Sequence, residues 1–339
     1  MLNNQYFTHN RASFLGGSDI GAIVGVSKYR SAMDVWLEKT GKQVEHKDSF
    51  ALRFGSFAES FIADEYALLT GEQLVNHLHG IIHPRHSFCM GHIDRFVVDQ
   101  PDLPLFASDG TLNAKKLLEC KTANLYSQSD WGEPGTDAIP LAYLCQCLWY
   151  LGITNLAEID VAVLLGGSNL LNYTITRDLE LESLLFEKAV LFWTEHVQKD
   201  IPPKPQSIDD CKALFQRASV GKSLEANSET LNLIRKLKTL EAQSQQEGKE
   251  IETIKQQLME MMADTEVLTY LGKPLITWKA PKPTCRIDTK RLCVDHPELI
   301  KDYQQPVLNS RRFVVKDLPE ILISPECMKK AGFSEGVIL

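Results

Sequence analysis

The chain has 339 residues, 44% hydrophobic and 24% charged, an ordinary composition for one large globular domain or two with a sizeable buried core. A formal net charge of −8 excludes broad electrostatic adhesion to nucleic acid, which rests on phosphate neutralisation, so any contact with DNA has to be local. No run approaches the roughly 18 apolar residues of a membrane span, and MLNNQYFTHNRASF lacks the apolar core of a secretory signal, so a cytoplasmic protein is expected.

The acidic excess lies in the N-terminal part: 18 basic and 27 acidic residues precede position 221, and 18 basic and 17 acidic follow. That bias suits a domain that gathers carboxylates around cations, and it serves solubility equally well. The eight cysteines (Cys89, Cys120, Cys145, Cys147, Cys211, Cys285, Cys293 and Cys327) lack the C-x-x-C spacing of a zinc site and the density of a disulfide scaffold. They read as reduced thiols.

In chain order, Gly16, Gly17, Gly21 and Gly25 surround an apolar stretch. They do not spell a phosphate-binding P-loop, which argues against ATP hydrolysis. SAMDVWLEKTG predicts a short helix ended by Gly41, and FGSFAESFIADEYALLTG a second helix closing at Gly71. GIIHP, CMGHIDRFVVD and KLLECKT predict short strands of a mixed sheet. Residues 138–153 predict a helix with Pro140 in its first turn and Gly152 at its end, IDVAVLLGG another strand, and ELESLLFEKAVLFWTEHVQK a long helix. The prolines of PPKP, residues 202–205, stop that helix and mark the domain boundary, giving an N-terminal domain 1–205 and an extension 206–339. Spacings of three and four from Leu231 to Met261 predict amphipathic helix over 224–262, either one long helix or a hairpin folded at Gly248. Its apolar face is read as packing on the body in preference to the alternative, a partner-binding helix. VLTYLGKPLITWKA and SRRFVVKD suggest short strands.

Two strand-like segments carry acids able to share a cation. Asp94 lies within GHIDRFVVD, and KLLECKT delivers Glu119 and Lys121 on one face with Cys120 on the other. Phosphodiester hydrolysis by metal ions needs such a set: Asp94 and Glu119 for one or two Mg²⁺ (with Mn²⁺ as a substitute), the main-chain carbonyl of Cys120 as another oxygen, and Lys121 to position or deprotonate water. By itself E-x-K is usually a solvated cross-strand pair. Asp109, in SDG, is a second candidate acid but sits in turn chemistry, so Asp94 is preferred. His92 should point away from the metal. Gln146 and Tyr150 lie four apart on one helical face, able to reach a scissile phosphate.

The ordered set Gly91-x-x-Asp94-Arg95, Glu119-x-Lys121-Thr122 and Gln146-x-x-x-Tyr150 resembles the PD-(D/E)XK nucleases. A fuller resemblance, over roughly residues 11–205, is to the YqaJ and lambda-exonuclease family of phage-type recombination exonucleases, through Arg11 and Ser18 in RASFLGGSDIGAIVGVSKYRSAMDVW and Gly55 and Glu59 in the second helix. The resemblance implies that Glu59 approaches the metal site, that Arg11 and Ser18 hold the 5′-phosphate of a DNA end, and that Lys28 and Arg30 touch the duplex. Some relatives carry iron–sulfur clusters, for which suitable cysteine spacing is missing here.

The expected fold is α/β, a central mixed sheet flanked by helices with a mainly helical C-terminal extension. The expected activity is hydrolysis of double-stranded DNA from 5′ ends, leaving a 3′ strand for an annealing protein. The resemblance also implies a homo-oligomer, a ring of three subunits around DNA. The rivals are a relative of different polarity or endonuclease action, and a non-catalytic DNA-binding or interaction protein with this fold.

Overall fold

In a computed structural model of the chain, residues 11–42, 49–219, 222–280, 289–297 and 312–316 are described. They fall into two compact units divided between Leu214 and Phe215. The first unit places α1 (Gly17–Ile23), α2 (Ala32–Lys39) and α3 (Phe50–Thr70) before β1 (Gln73–Val75), β2 (Ile81–Ile82), β3 (Met90–Gly91), β4 (Arg95–Val98) and β5 (Lys116–Ala123). Then come α4 (Leu141–Thr154), β6 (Glu158–Leu165), β7 (Asn169–Thr176), α5 (Leu179–Phe192) and α6 (Ile208–Leu214). Local signals set the helix ends. Ser31, Ser49 and Asp178 accept from the N–H groups of Asp34, Leu52 and Leu181, and Gly71 closes α3 at φ 72°, a left-handed angle that costs glycine nothing.

The main sheet has the order β1-β4-β5-β6-β7. Its β5–β6 pair is parallel and the other neighbours are antiparallel. A parallel pair needs a crossover, and α4 supplies it. β6 is buried along all but its first residue, hence its unbroken apolar run. One sheet face, through Leu117, Val161, Val163 and Tyr173, joins the core of α1, α2, α4 and α5. The other, through Val97, Leu118, Cys120, Ala162 and Leu164, packs on Ala58, Ile62, Ala63 and Tyr66 of α3. β5 therefore lies sandwiched mid-sheet between two helical layers, where a polar residue is buried by default.

The expected mixed sheet flanked by helices is what forms, with differences of detail. GIIHP lies outside the main sheet, where β2 pairs with β3 in a separate ribbon. CMGHIDRFVVD is two strands, β3 and β4, broken at residues 92–94. The helix expected to end at Gly152 runs on to Thr154, where Asn155 takes the left-handed angle at φ 60°, and Pro140 stands just ahead of its first turn. β1 and β7 were not anticipated. The chain stays non-helical over the prolines, but α6 belongs to the first unit: Asp210, buried, accepts from the Ser31 hydroxyl at 2.6 Å.

The second unit holds α7 (Ser228–Met262), an antiparallel hairpin of β8 (Val267–Tyr270) and β9 (Lys273–Thr277), and α8 (Thr289–Asp295). α7 is one continuous helix through Gly248, with Leu240, Ile251, Ile254 and Met261 exposed. Within SRRFVVKD the described residues, 312–316, form no strand. Among the described residues no helix is long and apolar enough to cross a membrane. Cys89, Cys120, Cys145 and Cys147 are buried free thiols and Cys211 and Cys293 exposed ones; Cys285 and Cys327 lie outside the described residues.

Candidate active site

The antiparallel register pairs Arg95 with Leu118 and Phe96 with Leu117. Carried one residue further, it sets Asp94 opposite Glu119. Asp94 sits where the chain has left β3 and not yet entered β4, and its Oδ2 accepts from the Cys120 N–H at 2.8 Å. The side chain is thereby tied to β5. Glu119 is only 2% exposed and points into the layer under α4. Its Oε1 accepts from Lys121 Nζ and, at 2.6 Å, from Gln146 Nε2. Its Oε2 is buried with no hydrogen-bond partner.

Gln146 links the group. Its Oε1 accepts from Lys121 Nζ at 3.2 Å, and its Nε2 also donates to the Tyr150 hydroxyl at 2.9 Å. The four-residue spacing puts both side chains on one face of α4. Gly17 presses on that face: a Cβ there would lie 2.7 Å from Tyr150 Cε1 and 2.9 Å from Gln146 Cγ. On the other side of Lys121, its Nζ stands 5.0 Å from the centre of the Tyr143 ring.

Burial drives the Asp94 carboxyl well above the usual carboxylate range, and the charges of Glu119 and Glu59 push the same way against Lys121. Glu119 is raised by burial too, with Lys121 opposing. Burial alone would lower Lys121, but the Glu119 and Asp94 carboxylates outweigh it and keep the ammonium charged. The site thus concentrates negative charge with one fixed cation.

Glu59 lies near enough to act electrostatically on both acids, yet its Oε1 accepts from Arg95 Nη1 at 2.8 Å. Among the described residues no three His, Cys, Asp or Glu side chains gather as a metal cluster. Asp94 and Glu119 are the two carboxylates that the β4–β5 register brings together. Asp109 lies in an exposed turn, its Oδ1 accepting from the Thr111 N–H at 2.9 Å, and the His92 ring stands 5.6 Å from that of Phe14.

Arg11 and Ser18 meet, Nη2 to Oγ at 3.3 Å. Arg11 is also held by Asp19 (2.9 Å) and Glu38 (3.1 Å), and Arg30 joins the same two carboxylates at 3.0 and 2.6 Å. Buried Lys39 completes the group, 2.9 Å from Asp19 and 3.1 Å from Glu38. Arg30 thus belongs with Arg11, whereas Lys28 pairs with Asp130 at 2.7 Å. Sequence reasoning missed Asp19, Glu38 and Lys39, whose partners are remote in the chain. It also missed Tyr143, although its place three residues before Gln146 was a signal.

The molecule is thus an α/β protein whose mixed sheet carries an Asp–Glu–Lys group, buried at Glu119 and half-buried at Asp94 and Lys121, braced by a Gln–Tyr helix. Residues 6–157 are similar to the family described as the YqaJ-like viral recombinase domain. The uncharacterized protein YqaJ of Bacillus subtilis (strain 168) is 28% identical over 318 residues, 91% of this chain and 92% of its own. Among solved structures, similarity extends to an alkaline exonuclease from Laribacter hongkongensis, with 16% identity, 59% of this chain and 94% of that one covered, and a TM-score of 0.44. A phage related exonuclease from Haemophilus somnus 129PT is similar at 12% identity, 55% and 95% coverage, and a TM-score of 0.42.

Proposed function

We propose that this chain is a Mg²⁺-dependent exonuclease that degrades double-stranded DNA from 5′ ends and leaves 3′ single strands for annealing-type recombination. The observation that carries this reading is the Glu119 carboxylate, whose Oε1 is saturated by Lys121 and Gln146 while its buried Oε2 has no partner. A buried carboxylate oxygen without a partner is costly unless a cation meets it. Asp94, Glu119 and the Cys120 carbonyl would hold the metal, an all-oxygen set suited to Mg²⁺, which uses one or two carboxylates and keeps several waters. When bound, the metal would polarise the scissile phosphate and lower the pKa of water. Lys121, fixed by Glu119 and Gln146, would orient the attacking water and meet the charge that develops on phosphate oxygens. Tyr150 holds Gln146 in turn. Glu59, whose Oε1 pairs with Arg95, would join the ligands through its other carboxylate oxygen.

Direction would come from the group around Arg11. Three cations, Arg11, Arg30 and Lys39, face two carboxylates, Asp19 and Glu38, which leaves one positive charge beside Ser18. That surplus supports a seat for a terminal phosphate at Arg11 and Ser18, with Lys28 toward the duplex. Gly17 joins this seat to Gln146 and Tyr150, so a gripped end and the metal site would keep a fixed spacing. An annealing protein as partner and a ring of three subunits belong to the same proposal.

The test is digestion of linear duplexes, labelled at either end, with Mg²⁺. The expected result is early release of the 5′ label as mononucleotide, faster from 5′-phosphate than from 5′-hydroxyl ends, with Arg11→Ala narrowing that difference at fixed salt. Loss of the 3′ label first would contradict the polarity, and no digestion would contradict the activity.

A further inference from the structure

Lysine is a flexible choice for a group that must hold one position. Its ammonium ends a four-carbon stem and carries three donors, whose ordering costs side-chain entropy. Lys121 Nζ has two acceptors here, Glu119 Oε1 and Gln146 Oε1, and its side chain is 18% exposed. Those two bonds alone leave it a path toward solvent. The Tyr143 ring, 5.0 Å from Nζ to its centre, is near enough for an ammonium to be attracted to its face, which operates within about 6 Å.

The ring is itself held. Trp131, buried, packs on it at 5.7 Å between ring centres and on Tyr173 at 5.3 Å. The Tyr173 hydroxyl donates to the Gly132 carbonyl at 3.0 Å, which fixes the segment carrying Trp131. The chain leaving β5 thus returns to brace a residue of α4, and that residue meets the lysine of β5. We propose that Tyr143 is a positioning residue for Lys121, its ring face holding the ammonium between Glu119 and Gln146 in the working geometry. This role rests on the nuclease reading above. It uses the face of the ring and not the hydroxyl.

Phenylalanine should therefore replace Tyr143 and leucine should not. The experiment compares Tyr143→Phe and Tyr143→Leu, each in the wild-type and Lys121→Ala backgrounds, by kcat and KM on a 5′-phosphorylated duplex. Tyr143→Leu should lower kcat about 5- to 30-fold with KM nearly unchanged, while Tyr143→Phe stays within about twofold. In the Lys121→Ala background the leucine change should add no further loss, because the group it positions is gone.

A second readout is independent of activity. In protein labelled with ¹³C at lysine Cε, the Lys121 resonance, assigned by its loss in Lys121→Ala, should be shifted by the ring current in the wild type and in Tyr143→Phe. It should return to an ordinary lysine position in Tyr143→Leu. An unimpaired Tyr143→Leu in an active enzyme, or a Lys121 resonance that does not move among the variants, would overturn the role of Tyr143. A wild type that digests no DNA would overturn the nuclease reading, and this role with it.

Discussion

Two carboxyls held below the surface within reach of one another oppose folding whenever both are ionised. Asp94 has a folded pKa above its unfolded one, so its contribution to stability is full below the ordinary carboxylate range and is lost as pH rises through the folded value. At neutral pH without metal the site therefore weakens the fold. Asp94→Asn keeps an acceptor for the Cys120 N–H and removes the charge, so in EDTA at pH 7 it should raise Tm by an amount worth on the order of 1 kcal/mol. It should also abolish stabilisation by Mg²⁺. A fall in Tm in EDTA would show that the pair is not in repulsion.

His83 titrates with the opposite sense. Burial pushes its imidazole down to about 4, while Nδ1 accepts from the N–H groups of Arg85 and His86, both at 3.1 Å. The unfolded chain takes up the proton first, near 6.5, so this contribution is full above that pH and is lost as pH falls toward about 4. His83→Asn keeps an acceptor without the titration. Thermal melts at pH 7 and pH 5 should show a smaller drop for the variant than for the wild type, and equal drops would remove His83 from the account.

At the scale of elements, the site exists because α1 and α4 pack closely enough to align Gln146. Gly17→Ala would drive a methyl into Tyr150 and Gln146, an overpacking that costs roughly 1–3 kcal/mol. The expected outcome is a folded protein with a lowered Tm and a larger fractional loss of DNA digestion than of Mg²⁺ binding, measured by titration calorimetry; undiminished digestion would contradict it. The helices α2, α3, α4, α5 and α7 and the strands β5 and β6 were readable because their caps, stop signals and apolar periods agree, whereas α1, α6 and α8 were not predicted from such signals. Glu119, Lys121, Gln146 and Tyr150 were readable as neighbours because strand alternation and the four-residue helical step each fix a face. Other features depend on long-range contacts. Three residues of β1 show no period, and the break between β3 and β4 that releases Asp94 is hidden within one apolar run. The grouping of Asp19, Glu38 and Lys39 with Arg11 forms only when α1 and α2 pack. β7 does alternate, with Tyr173 and Ile175 inward, but its polar interruptions mask the pattern.

At the scale of the whole molecule, every residue given a role here lies in the unit ending at Leu214. A fragment 1–214 should therefore fold and retain the chemical step; a folded fragment that binds Mg²⁺ and DNA without cutting would assign part of the active site to the second unit. The central claim concerns the Asp94–Glu119 site itself. Its most direct test measures, on the same samples of wild type and Glu119→Gln, divalent-metal binding by calorimetry and release of acid-soluble nucleotides from linear duplex DNA. The wild type should bind Mg²⁺ and release nucleotides, and Glu119→Gln, with an unchanged fold by circular dichroism, should lose both. A Glu119→Gln protein that digests DNA at the wild-type rate would contradict the account.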